Sequence, residues 1–98
     1  MKISLSPVST AFPLEFSASL VGDVLAINGE PFDFSDLPEG ATLPVEAIGS
    51  EHFAGPVSRI EGELQITLRF PIGPDASEAA RFPKPIAVTI DGPVELPT

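Results

Sequence analysis

The sequence predicts a single all-β domain, a small antiparallel β-sandwich or barrel of about six to eight short strands. A chain of 98 residues has room for one core. Its eight glycines stand mostly 6 to 11 residues apart, and its twelve prolines fall between the same apolar runs. This is the spacing of turns in sandwiches and barrels. The runs between these turns alternate apolar and polar residues, which is typical of half-buried strands.

The first strands are read from this alternation. Ile3 and Leu5 mark the inward side of a short first strand. Residues 14–20 alternate in the same way and turn at positions 21–23 into a further strand over residues 24–27. The period of two places one set of side chains on the core and the other in solvent.

The pair Asn28-Gly29 predicts the next turn, which leads into a strand over residues 30–34. Asn-Gly suits a type I′ turn because both central residues need positive φ angles. If the two residues flanking the turn form a hydrogen-bonded pair, Pro31 takes a non-hydrogen-bonded position. The strand over residues 30–34 is therefore predicted to be a sheet edge.

A polar, turn-rich connection over residues 35–43 leads to the clearest strand of the chain. In residues 63–70 every second side chain is apolar. This strand is predicted to form a hairpin with residues 56–60 through a turn at Glu61-Gly62.

The C-terminal part predicts at most one short helix and a last hairpin. Residues 74–81 contain good helix formers behind Asp75, a candidate N-cap. Residues 86–90 and 94–96 are predicted to pair as strands. Pro93 lacks the N–H that a tight turn requires, so a wider loop or an extended tail is the alternative.

The charge of the chain limits the classes of partner that it is expected to bind. It carries 14 acidic and 5 basic residues, a net charge of −9, so neither nucleic acid nor an anionic membrane is an expected partner. Residues 1–58 hold Lys2 against eight acidic residues, a net charge of −7. This half either faces a basic partner, as a DNA mimic does, or only keeps the protein soluble.

The sequence carries no recognisable catalytic, cofactor or metal motif. Without cysteine, disulfides and zinc-thiolate sites are excluded. His52 is the one histidine, and neighbouring Glu51 would point to the opposite face of an extended chain. Asp33 and Asp36 do not match the calcium-loop pattern. We predict a non-enzymatic protein without a cofactor; an enzyme would need a cleft gathering at least two of these four residues.

The candidate contact residues lie on the predicted edge strand and in a loop. Edge strands offer unpaired backbone groups that a second chain can complete. Of the seven phenylalanines, Phe12, Phe53 and Phe82 lie near predicted loops, where one or two can be exposed. The predicted interaction residues are Pro31, Phe32, Asp33, Phe34, Asp36 and Phe53.

Two segments, residues 22–41 (GDVLAINGEPFDFSDLPEGA) and 55–64 (GPVSRIEGEL), resemble small acidic proteins encoded in prophage tail regions of Gram-negative bacteria. Residues 71–74, 79–83 and 91–94 are similar in kind. The resemblance covers most of the chain beyond about residue 20 and includes no catalytic motif. It implies a setting, phage tail structure or assembly, and no mechanism.

These observations predict a structural or assembly protein that acts through protein–protein contacts, with a protein partner or a second copy of itself. The alternative is an acidic binding module, either a decoy for a basic partner or a weak cation binder. No targeting segment and no apolar run long enough for a membrane span is present. We therefore expect a place in the host cytoplasm, or in the virion.

Overall fold

The computed structural model of the chain describes residues 1–11 and 15–97, and these residues form two β-sheets. The strands are β1 (Lys2–Ser9), β2 (Ala18–Val21), β3 (Val24–Ile27), β4 (Glu30–Asp33), β5 (Thr42–Leu43), β6 (Val57–Ile60), β7 (Glu63–Ile72), β8 (Ile86–Ala87) and β9 (Gly92–Pro93). One sheet has five strands in the spatial order β5-β6-β7-β1-β8, and the other has four in the order β4-β3-β2-β9. The predicted all-β class is confirmed.

The predicted run of β2, β3 and β4 is confirmed as three consecutive antiparallel strands. Asn28 and Gly29 have φ angles of 51° and 84°, the positive values that the turn requires. The Asn28 side chain also accepts a hydrogen bond from the Ser17 N–H at 2.8 Å and donates one to the Glu15 carbonyl at 3.2 Å. β2 begins at Ala18 rather than at position 14, which lies outside the described residues.

The predicted hairpin of β6 and β7 is also confirmed, with Glu61 and Gly62 at φ angles of 52° and 78°. Both oxygens of the Glu39 carboxylate accept hydrogen bonds from the N–H groups of these two turn residues. β7 continues two residues beyond its predicted end, through Pro71 to Ile72. Proline fits there because its nitrogen faces away from the neighbouring strand β1.

The sheets are not purely antiparallel as predicted, because β1 and β7 run parallel over eight residue pairs, from Lys2 with Gln65 to Ser9 with Ile72. Parallel neighbours need a long crossover connection, and here most of the chain provides it. Alternation within a strand reveals which face is buried but not which strand lies beside it. The sequence therefore gave no local signal for this pairing.

The predicted C-terminal hairpin is wrong. β8 pairs with β1 in the five-stranded sheet, whereas β9 pairs with β2 in the four-stranded sheet. The Asp91 carboxylate accepts a hydrogen bond from the Gly22 N–H at 2.9 Å and holds this connection against the β2–β3 turn. Residues 88–91 therefore cross from one sheet to the other.

The described residues contain two helices of one turn each, α1 (Val45–Ile48) and α2 (Glu78–Arg81). α2 lies within the predicted range, but its N-cap is Ser77 instead of Asp75, and the Ser77 hydroxyl accepts from the Ala80 N–H at 3.2 Å. α1 was not predicted. Neither helix in this part of the chain is long and apolar enough to cross a membrane.

The inward side chains of both sheets meet in one core. The predicted alternation of β7 is confirmed, since its four even-numbered side chains from 64 to 70 are buried. Ile3 and Leu5 of β1 lie beside Ile66 and Leu68 of β7 in the parallel register. Burying each such side chain stabilises the fold by about 1.5–3 kcal/mol. From the four-stranded sheet the core takes Ala18, Leu20, Leu25 and Ile27.

Arg59 of β6 links the two sheets through its guanidinium group, and its side chain is 14% exposed. It donates hydrogen bonds to the carbonyls of Leu37 and Phe34 at 2.6 and 3.0 Å, and it forms an ion pair with Asp23 at 3.2 Å. These partners belong to the β2–β3 turn and to the segment after β4. One side chain of the five-stranded sheet therefore holds both the turn before β3 and the segment after β4 in the four-stranded sheet.

Candidate interaction surfaces

One outer edge of the four-stranded sheet is formed by β4, as predicted, and it carries three of the six predicted contact residues. Pro31, Asp33 and Asp36 are exposed, and Phe32 is half-buried. Their contact with a partner stays a prediction.

Phe34 and Phe53 lie in the core instead, with 4% and 1% of their surfaces exposed. The Phe53 ring packs edge-on against the rings of Phe32 and Phe34, at centroid distances of 5.0 and 5.9 Å. The prediction that Phe53 is an exposed loop residue is wrong. Neither Phe53 nor Phe34 can touch a partner while the chain is folded.

Phe53 is buried because its segment runs along β7. The His52 carbonyl accepts from the Arg69 N–H at 2.8 Å, and the Ala54 N–H donates to the Thr67 carbonyl at 3.0 Å. An isolated bridge joins Phe53 to a β7 residue between these two bonds. A single apolar residue between polar ones forms no alternating pattern, so sequence reasoning missed this pairing.

Asp33 has a defined local role at the β4 edge. Hydrogen bonds from the Ser35 hydroxyl and from the Ser35 N–H, the latter 2.9 Å long, lower the pKa of the Asp33 carboxyl below its ordinary value. Both bonds favour the ionised form. The group therefore keeps its negative charge at the outer edge of the sheet.

Prolines stand at the free edges of the four-stranded sheet. The Phe34 N–H donates to the β2–β3 turn at 3.0 Å, so the backbone groups of Pro31 point the other way, out of the sheet. The Val94 N–H donates to β2 at 2.8 Å, so the backbone of Pro93 also points outward. Each edge therefore has a proline where a strand would otherwise offer an N–H.

The part of β1 that extends beyond its neighbour β8 also has an outward-facing proline. Met1 and Val88 exchange two backbone hydrogen bonds of 2.8 and 2.9 Å, so the odd-numbered residues of β1 face β8. β8 pairs only with Lys2 and Ile3, which leaves Pro7 facing outward beyond its end. Proline at an exposed edge is a common protection against pairing with a further strand. The β4 and β9 edges and the uncovered part of β1 are thus poorly suited to strand addition.

A different surface, missed by the sequence analysis apart from Phe82, is formed by residues 79–97 and is called the C-terminal face below. It consists of two adjoining clefts that share Ile86 and Glu95. Phe82 and Ile90 are 75% and 78% exposed, more than the other large apolar side chains of the described residues. Phe12, the third loop phenylalanine, lies outside the described residues.

The C-terminal face also differs from the rest of the chain in charge. Residues 79–98 contain Arg81 and Lys84 against Asp91 and Glu95, a net charge of zero. Residues 1–78 therefore carry the entire charge of −9. Lys84 and Glu95 line the same cleft. No ion pair within the described residues engages either of them.

The enzyme reading required a cleft with at least two of four named residues, and one cleft of about 380 Å³ contains Glu51 and His52, together with Arg69. The His52 ring packs edge-on against Phe32 at 6.4 Å. In the described part of the chain, no hydrogen bond or ion pair joins Glu51 to the His52 ring. Nucleophile or proton-relay catalysis needs such coupled groups.

The acidic residues do not assemble into a metal site in the described ranges, where no group of three or more histidine or acidic side chains could hold an ion. Comparison with protein-family models, with curated proteins and with solved structures found no match.

Proposed function

We propose that this chain is a non-enzymatic component of a phage or prophage tail, with a structural or assembly role exercised through protein–protein contacts. The observation that carries the proposal is the neutral, apolar C-terminal face on a molecule whose other residues carry a charge of −9. The setting comes from the resemblance of residues 22–41 and 55–64 to proteins of prophage tail regions.

The energetics favour a covered face. Fully burying a phenylalanine or isoleucine side chain is worth about 1.5–3 kcal/mol, and Phe82 and Ile90 leave most of this unused in the monomer. Exposed apolar surface with a polar surround is typical of sites that bind other proteins. The β4 and β9 edges and the uncovered part of β1 contribute little, because prolines occupy outward positions there.

The experiment is an in-frame deletion of the gene in an inducible prophage that carries it. We expect the deletion to reduce the number of complete tails seen by electron microscopy, with restoration by a plasmid copy. Mass spectrometry of purified particles then distinguishes a tail component, which is present, from an assembly factor, which is absent. Normal tails without the gene, together with absence from the particles, would contradict the proposal.

A second candidate, an acidic module that binds a basic partner, is favoured by the exposed carboxylates of Glu30, Asp33, Asp36 and Glu39 around the β4 edge. Their binding would depend strongly on salt because the attraction is screened. Titration with polylysine at low and high salt tests it. The cation version predicts that calcium raises the Tm; an unchanged Tm removes it.

A further inference from the structure

We infer that the C-terminal face is a self-association surface, on which a second copy of this chain docks about a two-fold axis with Lys84 of one copy opposite Glu95 of its partner. This inference deepens the proposed function by naming the partner and the surface, and it rests on that function for its biological setting.

The distribution of charge favours a second copy of this chain as the partner that docks on the C-terminal face. Two molecules of charge −9 repel one another, and the repulsion is smallest where the approaching surfaces are neutral. The C-terminal face is neutral, and it carries one cation and one anion in the same cleft. Such a face is self-complementary, because a two-fold axis brings Lys84 opposite Glu95 twice. A strongly basic partner would instead be drawn to residues 1–78.

The apolar groups of the face supply the contact area. Phe82 and Pro85 are exposed at one of its two clefts, and Ile90 and Pro93 are exposed at the other. A stable interface buries about 800 Å² on each partner, roughly an eighth of the 6021 Å² surface of this chain. The two adjoining clefts extend along residues 79–97, a stretch long enough to supply such an area.

The prolines at the sheet edges indicate that two copies meet through side chains and not by pairing of strands. Pro31 and Pro93 remove N–H donors from the two edges of the four-stranded sheet, and Pro7 does so on the uncovered part of β1, so strand pairing with a second copy is disfavoured at these three places. Association through side chains of the C-terminal face needs no backbone donor. This separates the inference from the strand-addition interpretation of the β4 edge.

Sedimentation velocity and light scattering, from about 1 µM to about 1 mM, test the inference on the full chain. We expect a concentration-dependent dimer. Phe82→Ser is expected to weaken dimerisation by about 100-fold or more, since each dimer loses two buried rings. Ile60→Ser is the matched control, because Ile60 is 50% exposed and lies on β6, away from β8.

Charge reversal provides the sharper test. Lys84→Glu and Glu95→Lys each place like charges opposite one another twice per dimer, and each is expected to weaken dimerisation by about tenfold. The double variant restores both pairs and keeps the net charge of the wild type, so its dimerisation is expected to recover. Glu46→Lys controls for net charge, since it changes the total as Glu95→Lys does. Circular dichroism confirms that each variant folds.

A wild-type protein that stays monomeric at every concentration overturns the inference, and so does a double variant that is no tighter than the single ones. Equal weakening by Phe82→Ser and Ile60→Ser overturns it too. A monomer found in purified particles would refute self-association and leave the proposed function intact. A protein that dimerises but is absent from the particles and dispensable for tails would support self-association and refute the proposed function.

Discussion

The substitution Arg59→Ala tests how the two sheets are held together, because it removes one side chain that bonds to several separate segments. Its guanidinium group donates to the carbonyls of Leu37 and Phe34 and to the carboxylate of Asp23. Without it, two backbone carbonyls lose their charged donor at a site that is mostly shielded from water.

The magnitude follows from these contacts. A hydrogen bond to a charged group contributes about 1.5–3 kcal/mol, but such contributions do not add fully. The Asp23 side chain is 42% exposed, so solvent screening reduces its share to less than about 1 kcal/mol. We expect Arg59→Ala to lower the free energy of unfolding by about 2–4 kcal/mol. For a domain of this size the Tm would fall by roughly 10–30 °C.

Urea unfolding followed by far-ultraviolet circular dichroism is the suitable assay, because the chain has no tryptophan or tyrosine to report by fluorescence. Arg59→Lys is expected to lose about half as much stability, since lysine keeps the charge but lacks the planar donor fork. Arg69→Ala is the matched control: Arg69 is exposed, and its replacement should change stability by less than about 0.5 kcal/mol. An Arg59→Ala loss no larger than this control would refute the reasoning.

Three further predictions concern the four-stranded sheet. Asn28→Ala should lower the free energy of unfolding, measured in urea, by about 1–2 kcal/mol, because it removes the side-chain hydrogen bond to Ser17 and places alanine at a positive φ. Asn28→Gly should lower it less, because glycine adopts a positive φ without strain. Carboxyl NMR should show the pKa of Asp33 below 3.8, and Ser35→Ala should raise it only part of the way back, because the N–H at position 35 still donates to the carboxylate. Because folding lowers this pKa, the small stabilisation is present above the unfolded pKa and is lost as the pH falls through the folded one; an unshifted carboxyl would contradict this. Pro31→Thr restores an outward N–H and should raise aggregation measured by thioflavin T, whereas unchanged aggregation would show that proline does not protect this edge.

The sequence predicted elements whose information is local. Asn28, Gly29 and Gly62 each tolerate the positive φ angles that their turns require, so the hairpins around them were predictable with their bounds close to those observed. The alternation of β7 likewise predicted its buried face. In both cases, a few adjacent residues decide the outcome.

Long-range pairing decided the elements that the sequence did not predict. β8 and β9 follow one another in the chain, yet each pairs with a strand near the N-terminus. Phe53 is buried by a bridge to β7 that no pattern around it indicates. The edge position of Pro31 was predictable from turn register, whereas the C-terminal face depends on where residues 79–97 cross between the sheets.

The parallel pairing of β1 with β7 also dictates the order in which the fold can be completed. Lys2 pairs with Gln65, 63 positions later, so β1 has no neighbour in its sheet until β7 has been synthesised. β8, its other neighbour, follows later still. Contacts between residues so distant in sequence must close a large loop before they gain any energy, which slows folding. During synthesis the β2–β4 hairpins can form early, while β1 stays unpaired and exposes Ile3 and Leu5 to chaperones or to other nascent chains.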